Sequence, residues 1–124
     1  MIVLDTSVLI ESLAAGGALR REFRQVIASG LRMAVPTLVL YEWLRGPRLE
    51  AELAVQEAVL PSADALPFGH AEAHAAAELY RVLPRPRGRE IDLAIAACAL
   101  GWSASLWTLN PDDFADVPGL RLHG

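Results

Sequence analysis

The sequence has no lysine, a single cysteine and no long apolar run, and each absence excludes a class of protein. Cys98 alone cannot support a disulfide framework within the chain. No apolar run reaches the roughly 18–20 residues that a membrane-spanning helix needs. The opening M-I-V-L-D lacks the basic segment and the cleavage site of a secretory signal. We therefore expect a cytoplasmic protein with no membrane association.

Positive charge is also scarce, because 11 basic residues face 15 acidic ones and the net charge is −4. Domains that bind nucleic acid by bulk electrostatics are usually basic, so this class is disfavoured. The arginines are nevertheless clustered in the ranges 20–24, 45–48 and 85–89. Local contacts with phosphates are therefore a reasonable hypothesis for some of them.

The apolar content, 53% over 124 residues, is enough for one globular domain spanning residues 1–124. Short apolar runs alternate with helical patterns, which predicts an α/β fold. We expect a three-layer α/β/α sandwich around a mainly parallel sheet. The predicted strands are 2–4, 32–35, 63–66, 105–109 and 120–122. The predicted helices are about 8–14, 18–28, 37–46, 48–59, 69–83 and 90–100.

The helix at 90–100 carries the most informative anomaly. From Ile91 onward it is apolar on every face except at Asp92, and an all-round apolar helix is a buried one. Burying a lone carboxylate is expensive. Either a partner group or a metal ion is therefore expected to neutralise Asp92.

Four more polar side chains are expected near Asp92. Asp5 follows the strand I-V-L, and Asn110 follows L-W-T-L with Asp113 in the same loop. Glu42 lies in the otherwise apolar helical segment L-V-L-Y-E-W-L. Taken singly, each has a structural explanation as a helix cap, a turn former or a half-exposed helical residue. Polar groups at the carboxyl ends of parallel strands, however, meet in one crevice.

Several carboxylates in one crevice would repel one another, and a divalent cation removes that problem. Ligands that are all oxygen, with no Cys or His in the set, suit Mg²⁺ or Mn²⁺. Such a cation supports phosphodiester cleavage, because it polarises the phosphate and lowers the pKa of an attacking water. The pattern therefore points to a metal-dependent phosphodiesterase.

Five segments in order resemble the PIN-domain family, and among its members the VapC toxins of toxin–antitoxin pairs. They are L-D-T-S-V-L-I at 4–10, Y-E-W-L-R-G at 41–46, D-L-A-I-A-A-C-A-L at 92–100, T-L-N-P-D-D-F at 108–114 and V-P-G-L-R-L at 117–122. The resemblance covers the whole chain. It implies an endoribonuclease dependent on Mg²⁺ or Mn²⁺, acting as the toxin of a VapBC-type pair and leaving a 5′-phosphate and a 3′-hydroxyl.

The resemblance also assigns roles to residues. Asp5 and Asp92 match the principal metal ligands, and Glu42 matches the second acidic position of the cluster. Asn110 stands where an acid is expected, so Asp113 is the candidate for the fourth acidic position, and one well-held metal is favoured over two. Thr6 and Thr108 match small polar positions of the family that usually orient the acidic cluster. Asn110 is assigned a supporting role as well.

The expected partners are an RNA substrate, a VapB-like antitoxin and a second copy of the chain in a homodimer. RNA phosphates are assigned to arginines near the acids, namely Arg45, Arg85, Arg87 and Arg89. An antitoxin is expected to place an arginine among the acids and to dock on the helices at 18–28 and 37–59. The pair His70 and His74 has zinc-compatible spacing but no third ligand, and His123 is expected in an unstructured tail.

Two other functions fit parts of the pattern. The first is a PIN-like scaffold that binds RNA or protein without cutting, which Asn110 favours and the retained acids oppose. The second is a phosphotransfer domain with Asp5 as nucleophile. The second is disfavoured because D-T-S-V-L is not a D-x-D-x-T motif and a receiver domain would need a late lysine.

Overall fold

A four-stranded parallel sheet lies at the centre of the structure, a computed structural model that describes residues 1–124. The strands are β1 (Ile2–Leu4), β2 (Met33–Ala34), β3 (Ser105–Trp107) and β4 (Arg121–Leu122). Six helices flank the sheet: α1 (Thr6–Leu13), α2 (Arg20–Ala28), α3 (Thr37–Arg45), α4 (Glu50–Val59), α5 (His70–Val82) and α6 (Glu90–Gly101). The predicted α/β/α sandwich is confirmed.

Strand β1 occupies the middle of the core. Its three residues Ile2, Val3 and Leu4 are all buried, because a central parallel strand is covered on both faces. They belong to one cluster of 25 buried hydrophobic residues. The apolar run that opens the sequence is therefore the most deeply covered strand of the sheet.

The strand order β2-β1-β3-β4 places a topological switch beside β1. The chain moves from β1 to β2 on one side and returns to β3 on the other, and all pairings are parallel. Ligand crevices of open α/β sheets lie outside the carboxyl ends of the strands at such a switch. Here the two ends meet directly, since the Asp5 amide donates to the Trp107 carbonyl at 2.9 Å.

Helix α6 is buried from Leu93 to Ala99, as its sequence predicts. Its run of alanines and the alanine-rich sequence of α5 allow these two helices to pack along each other. Exposed residues lie only at its two ends, with Glu90 and Ile91 in the first turn and Gly101 in the last. The helix is thus a rigid support that presents its amino-terminal turn, and Asp92 with it, at the edge of the core.

Two predictions about local structure are wrong. Residues 63–66 do not form a strand, because the chain makes a 3₁₀ turn at Ser62–Asp64 and pairs only through one bridge between Pro36 and Leu66. Proline lacks the N–H that a longer ladder needs, and the sequence places Pro67 next. The tail is ordered around His123, whose amide donates to Leu106 at 2.8 Å and whose ring packs edge-on against Trp107.

None of the six helices combines the length and the apolar character needed to cross a bilayer.

Candidate active site

Asp5 is the most buried acid of the predicted cluster, with 6% of its surface exposed. It follows β1 and caps α1, accepting a hydrogen bond from the Thr6 amide at 2.9 Å. Its second oxygen accepts from the Thr108 hydroxyl at 2.7 Å and from the Ser7 hydroxyl at 3.5 Å. Burial raises the pKa of Asp5, and the nearby Glu42 adds to that rise, while the hydrogen bonds lower it. Asp5 is therefore a fixed carboxylate in a setting that disfavours its charge.

Glu42 reaches the same edge from α3. Its Oε1 accepts a short hydrogen bond from the Thr6 hydroxyl at 2.6 Å, and its Oε2 pairs with the Arg45 guanidinium at 3.5 Å. Thr6 thus links the start of α1 to α3, with its amide on Asp5 and its hydroxyl on Glu42. One threonine therefore contacts two of the acids, one through its amide and one through its hydroxyl.

Asp92 lies in the first turn of α6, half-buried and without any hydrogen bond or ion pair to its side chain. Burial raises its pKa from 3.8 to about 6, and the charges of Asp5, Asp113 and Glu42 contribute to the rise. The neighbouring positive charge of Arg89 only partly offsets them. The acids predicted to converge on Asp92 therefore lie close enough to affect its ionisation.

The loop after β3 contributes Asn110 and Asp113. Asp113 ends the 3₁₀ turn Pro111–Asp113, is exposed, and its carboxylate accepts no hydrogen bond. Asn110 participates through its backbone, since its amide donates to the Thr108 hydroxyl at 3.0 Å. Thr108 in turn donates to Asp5, so this loop is tied to the most buried acid. The side chain of Asn110 itself makes no hydrogen bond.

The donor chemistry of this cluster fits a hard divalent cation. Four carboxylates and no sulfur or imidazole lie in the region of the switch point, near enough to affect the ionisation of Asp92, and such oxygen ligands suit Mg²⁺ or Mn²⁺. No group of three or more Asp, Glu, His or Cys side chains, however, is drawn together as a formed metal site. Asp5 and Glu42 are anchored by threonine hydroxyls, whereas Asp92 and Asp113 are not. The cluster therefore consists of two acids whose carboxylates are hydrogen-bonded within the protein and two whose carboxylates are not.

The arginines assigned to RNA contacts differ in their surroundings. Arg45 pairs with Glu42 and lies over the Tyr41 ring at 5.5 Å. Arg85 and Arg87 are exposed and form no ion pair. Arg89 is occupied, because its guanidinium forms an ion pair with Asp116 at 2.6 Å. Arg85 and Arg87 are thus the residues of this set whose charges are open to a phosphate.

The histidines lie apart from any such cluster. His70 and His74 are both exposed on α5, and no group of potential metal ligands includes them. The structure therefore adds no support for a zinc site at this pair of histidines.

Two contributors to the site were missed in the sequence. The Ser7 hydroxyl accepts from the Leu109 amide at 3.4 Å and donates to Asp5, which ties the two loops together. Ser7 lies two residues after Asp5, the residue that caps α1. Serine side chains often hydrogen-bond to polar groups at such short separations, so the sequence could have indicated this contact. Asp116 pairs with Arg89 from 27 residues away, and nothing in the local sequence indicates that pairing.

Comparisons with known proteins identify the family of the chain. The sequence profile of the PIN domain matches residues 2–120. Among curated proteins, none matches the chain.

Solved structures give the same fold. A DNA-bound VapBC complex from Salmonella typhimurium is 24% identical with a TM-score of 0.70, covering 98% of this chain and 96% of that one. A VapBC complex from Rickettsia felis, bound to promoter DNA, is 20% identical with a TM-score of 0.71, covering 99% and 98%. A member of the VapBC family of toxin–antitoxin systems from Mycobacterium tuberculosis is 28% identical with a TM-score of 0.59, covering 97% of each. With its profile match, its parallel sheet and its acids at the switch point, the chain belongs to the PIN-domain family.

Proposed function

We propose that this protein is an endoribonuclease dependent on Mg²⁺ or Mn²⁺ and that it acts as the toxin of a VapBC-type toxin–antitoxin pair. The observation that supports this most is the half-buried Asp92 carboxylate, which has no protein partner and whose pKa is raised by burial and by the nearby acids. A cation beside it would remove that unfavourable burial and repulsion. PIN domains are generally nucleases, which makes this site the natural place for the chemistry.

Asp5 and Asp92 are the residues that would hold the cation, with Glu42 and Asp113 completing the acidic surroundings. When bound, the cation would supply a water of lowered pKa and offset the charge of the transition state. Thr108 and Ser7 would keep the Asp5 oxygens aimed into the crevice, and Thr6 would do the same for Glu42. Preorganisation of this kind avoids reorganisation of the site during the reaction.

RNA would reach the crevice past a basic turn. Arg85 and Arg87 lie in the segment that leads into α6, whose amino-terminal turn carries Asp92. Their exposed guanidiniums can contact phosphates on either side of the scissile bond. Arg45, whose guanidinium already pairs with Glu42, is the third candidate. Arg89 is the least suited of the four, because its hydrogen bonds are already formed within the protein.

An antitoxin partner is the second part of the proposal. The structural neighbours are toxin–antitoxin complexes. In this chain a groove of about 220 Å³ runs between α1, α2 and α4, with Leu13 and Phe23 among its apolar lining. Arg20 and Arg24 line it on α2, and neither forms an ion pair. An amphipathic helix with acidic residues would suit this surface.

Self-association is the third part. Helix α3 exposes Tyr41 and Leu44, which are 61% and 50% exposed. They border a shallow depression together with Thr37 and Leu40. A second copy of the chain would bury this apolar surface. Light scattering of the wild type and of Leu44→Glu tests this directly, with a dimer expected only for the wild type.

An RNA-cleavage assay tests the nuclease. We expect the wild type to cleave RNA with Mg²⁺ or Mn²⁺ and not with EDTA, leaving 5′-phosphate and 3′-hydroxyl ends. Asp5→Ala and Asp92→Asn should each reduce the rate at least about 100-fold, on the scale of losing a group that stabilises the transition state. Asp64→Asn is the matched control, because Asp64 is exposed and lies outside the cluster.

The outcomes separate the candidate functions. Metal-dependent cleavage that survives both substitutions would place the chemistry elsewhere. RNA binding without cleavage of any RNA tested would support the scaffold function instead.

A further inference from the structure

The Arg89 side chain connects the turn before α6 with the loop that follows β3, two segments that are distant in sequence. Its backbone begins α6, since its carbonyl accepts the first helical hydrogen bond from the Leu93 amide at 2.9 Å. The turn that precedes it contains Gly88 at a φ of +88°, a conformation that residues with a side chain rarely adopt. From this turn the Arg89 side chain reaches the loop that follows β3, where it contacts Asp113 and Asp116.

Four hydrogen bonds hold the Arg89 guanidinium. Nη1 donates to the Pro84 carbonyl at 3.2 Å and to Asp116 Oδ2 at 3.0 Å. Nη2 donates to the Asp113 carbonyl at 3.0 Å and to Asp116 Oδ1 at 2.6 Å. The pairing with Asp116 is bidentate, the geometry in which a guanidinium and a carboxylate bind most strongly. At 19% exposure, this side chain is also the most covered member of any ion pair in the structure.

The hydrogen bonds of Arg89 affect the acidic cluster because one of them fixes the backbone of Asp113. The Asp113 carboxylate accepts no hydrogen bond and its residue is exposed, so nothing in its own side chain fixes it. Its backbone is fixed, because its carbonyl accepts from Arg89 and its amide donates to Asn110 at 3.0 Å. Arg89 also begins the helix that carries Asp92. One side chain therefore sets the spacing between the two acids that lack anchors of their own.

We propose that Arg89 and Asp116 are positioning residues that hold Asp113 opposite Asp92 and thereby complete the cation site. The proposal rests on the proposed function, since it concerns the same acids. It differs from a phosphate-binding role for Arg89, because here the guanidinium binds protein carbonyls and a carboxylate rather than RNA.

Binding of Mn²⁺ to Arg89→Gln, followed by calorimetry, tests the proposal. Removal of a positive charge near four acids would by itself strengthen cation binding. Loss of positioning has the opposite effect, and loss of a residue that orients metal ligands typically weakens affinity 10- to 100-fold. We therefore expect Mn²⁺ affinity to fall at least about 10-fold. Unchanged or tighter binding would overturn the proposal.

A double substitution shows whether Arg89 acts through Asp113. In an Asp113→Asn background, the further change Arg89→Gln should not weaken Mn²⁺ binding, because the residue being positioned is already lost and only the loss of a positive charge, which favours the cation, remains. Additive losses would overturn the proposal. Arg81→Gln is the matched control: Arg81 pairs with Glu78 on the exposed face of α5, and its loss should not alter Mn²⁺ binding.

Asp116→Asn gives a milder variant that keeps the size of the side chain. Amide hydrogen exchange at Asp113 and Phe114 should accelerate in this variant without any metal present, while exchange in α5 stays unchanged. Unchanged exchange would overturn the proposal. If wild type bound no Mn²⁺, both this inference and the proposed function would fail. If wild type bound Mn²⁺ and Arg89→Gln bound it equally well, only this inference would fail.

Discussion

Replacing Asp92 by asparagine should stabilise the protein at neutral pH when EDTA is present. The carboxylate is half-buried without a partner, and its pKa is raised from 3.8 to about 6. A pKa raised in the folded state means that ionisation opposes folding. Ionisation of Asp92 therefore costs the wild type no stability below about pH 4 and lowers its stability as the pH rises through about 6. The Asp92→Asn variant loses no stability in this way, because an asparagine side chain does not ionise.

The size of the effect follows from that pKa. A rise from 3.8 to about 6 corresponds to about 3 kcal/mol. Because Asp92 is only partly buried, screening by water reduces this to about 1–2 kcal/mol. Asparagine also gives up about 0.3–1 kcal/mol of favourable interaction with the helix amino terminus. A net gain of roughly 1 kcal/mol remains, which should raise Tm by about 3–5 °C at pH 7.5.

Thermal unfolding across pH 4.5–8 in EDTA is the assay. The difference in Tm between Asp92→Asn and wild type should grow with pH and nearly vanish at the acidic end. Asp64→Asn, an exposed acid outside the cluster, should show no such trend. Addition of Mn²⁺ should raise the Tm of wild type more than that of Asp92→Asn. A difference that was negative at pH 7.5, or the same at every pH, would refute the reasoning.

Three further predictions concern the side chains of Thr108, Ser12 and Cys98. Thr108→Val removes a 2.7 Å hydrogen bond to Asp5 and should weaken Mn²⁺ binding about 10-fold by calorimetry. Ser12→Ala should raise the free energy of unfolding in urea by roughly 1 kcal/mol, because the Ser12 hydroxyl is buried without a partner. Burial raises the pKa of the Cys98 thiol to about 11, so iodoacetamide should label it only in denaturant, as measured by mass spectrometry.

The sheet and its crevice could be predicted because their signals are local. The run I-V-L followed by Asp5 marks a central strand and its polar end, and the structure places both as expected. The all-apolar helix around Asp92 marks a buried element in the same way. In each case a few adjacent residues indicate both the secondary structure and the position of the acid. The prediction therefore does not depend on knowing which distant segments are in contact.

Contacts between distant segments could not be predicted in this way. Arg89 looked like a phosphate ligand because its neighbours in sequence are arginines, yet it pairs with Asp116 across 27 residues. Residues 63–66 looked like a strand, but a strand also needs a partner edge, and only Leu66 finds one. His123 is ordered by Leu106 and Trp107, which lie far away along the chain. These outcomes depend on which segments meet, and the local pattern does not contain that information.

The central claim is that Asp5 and Asp92 jointly hold a divalent cation. Anomalous diffraction at the manganese edge, from crystals soaked in Mn²⁺, tests it most directly. The account predicts one strong peak between the Asp5 and Asp92 carboxylates, with oxygen ligands at the distances usual for this ion, and no peak in crystals of Asp92→Asn. A peak elsewhere, or none in the wild type at saturating Mn²⁺, would contradict it.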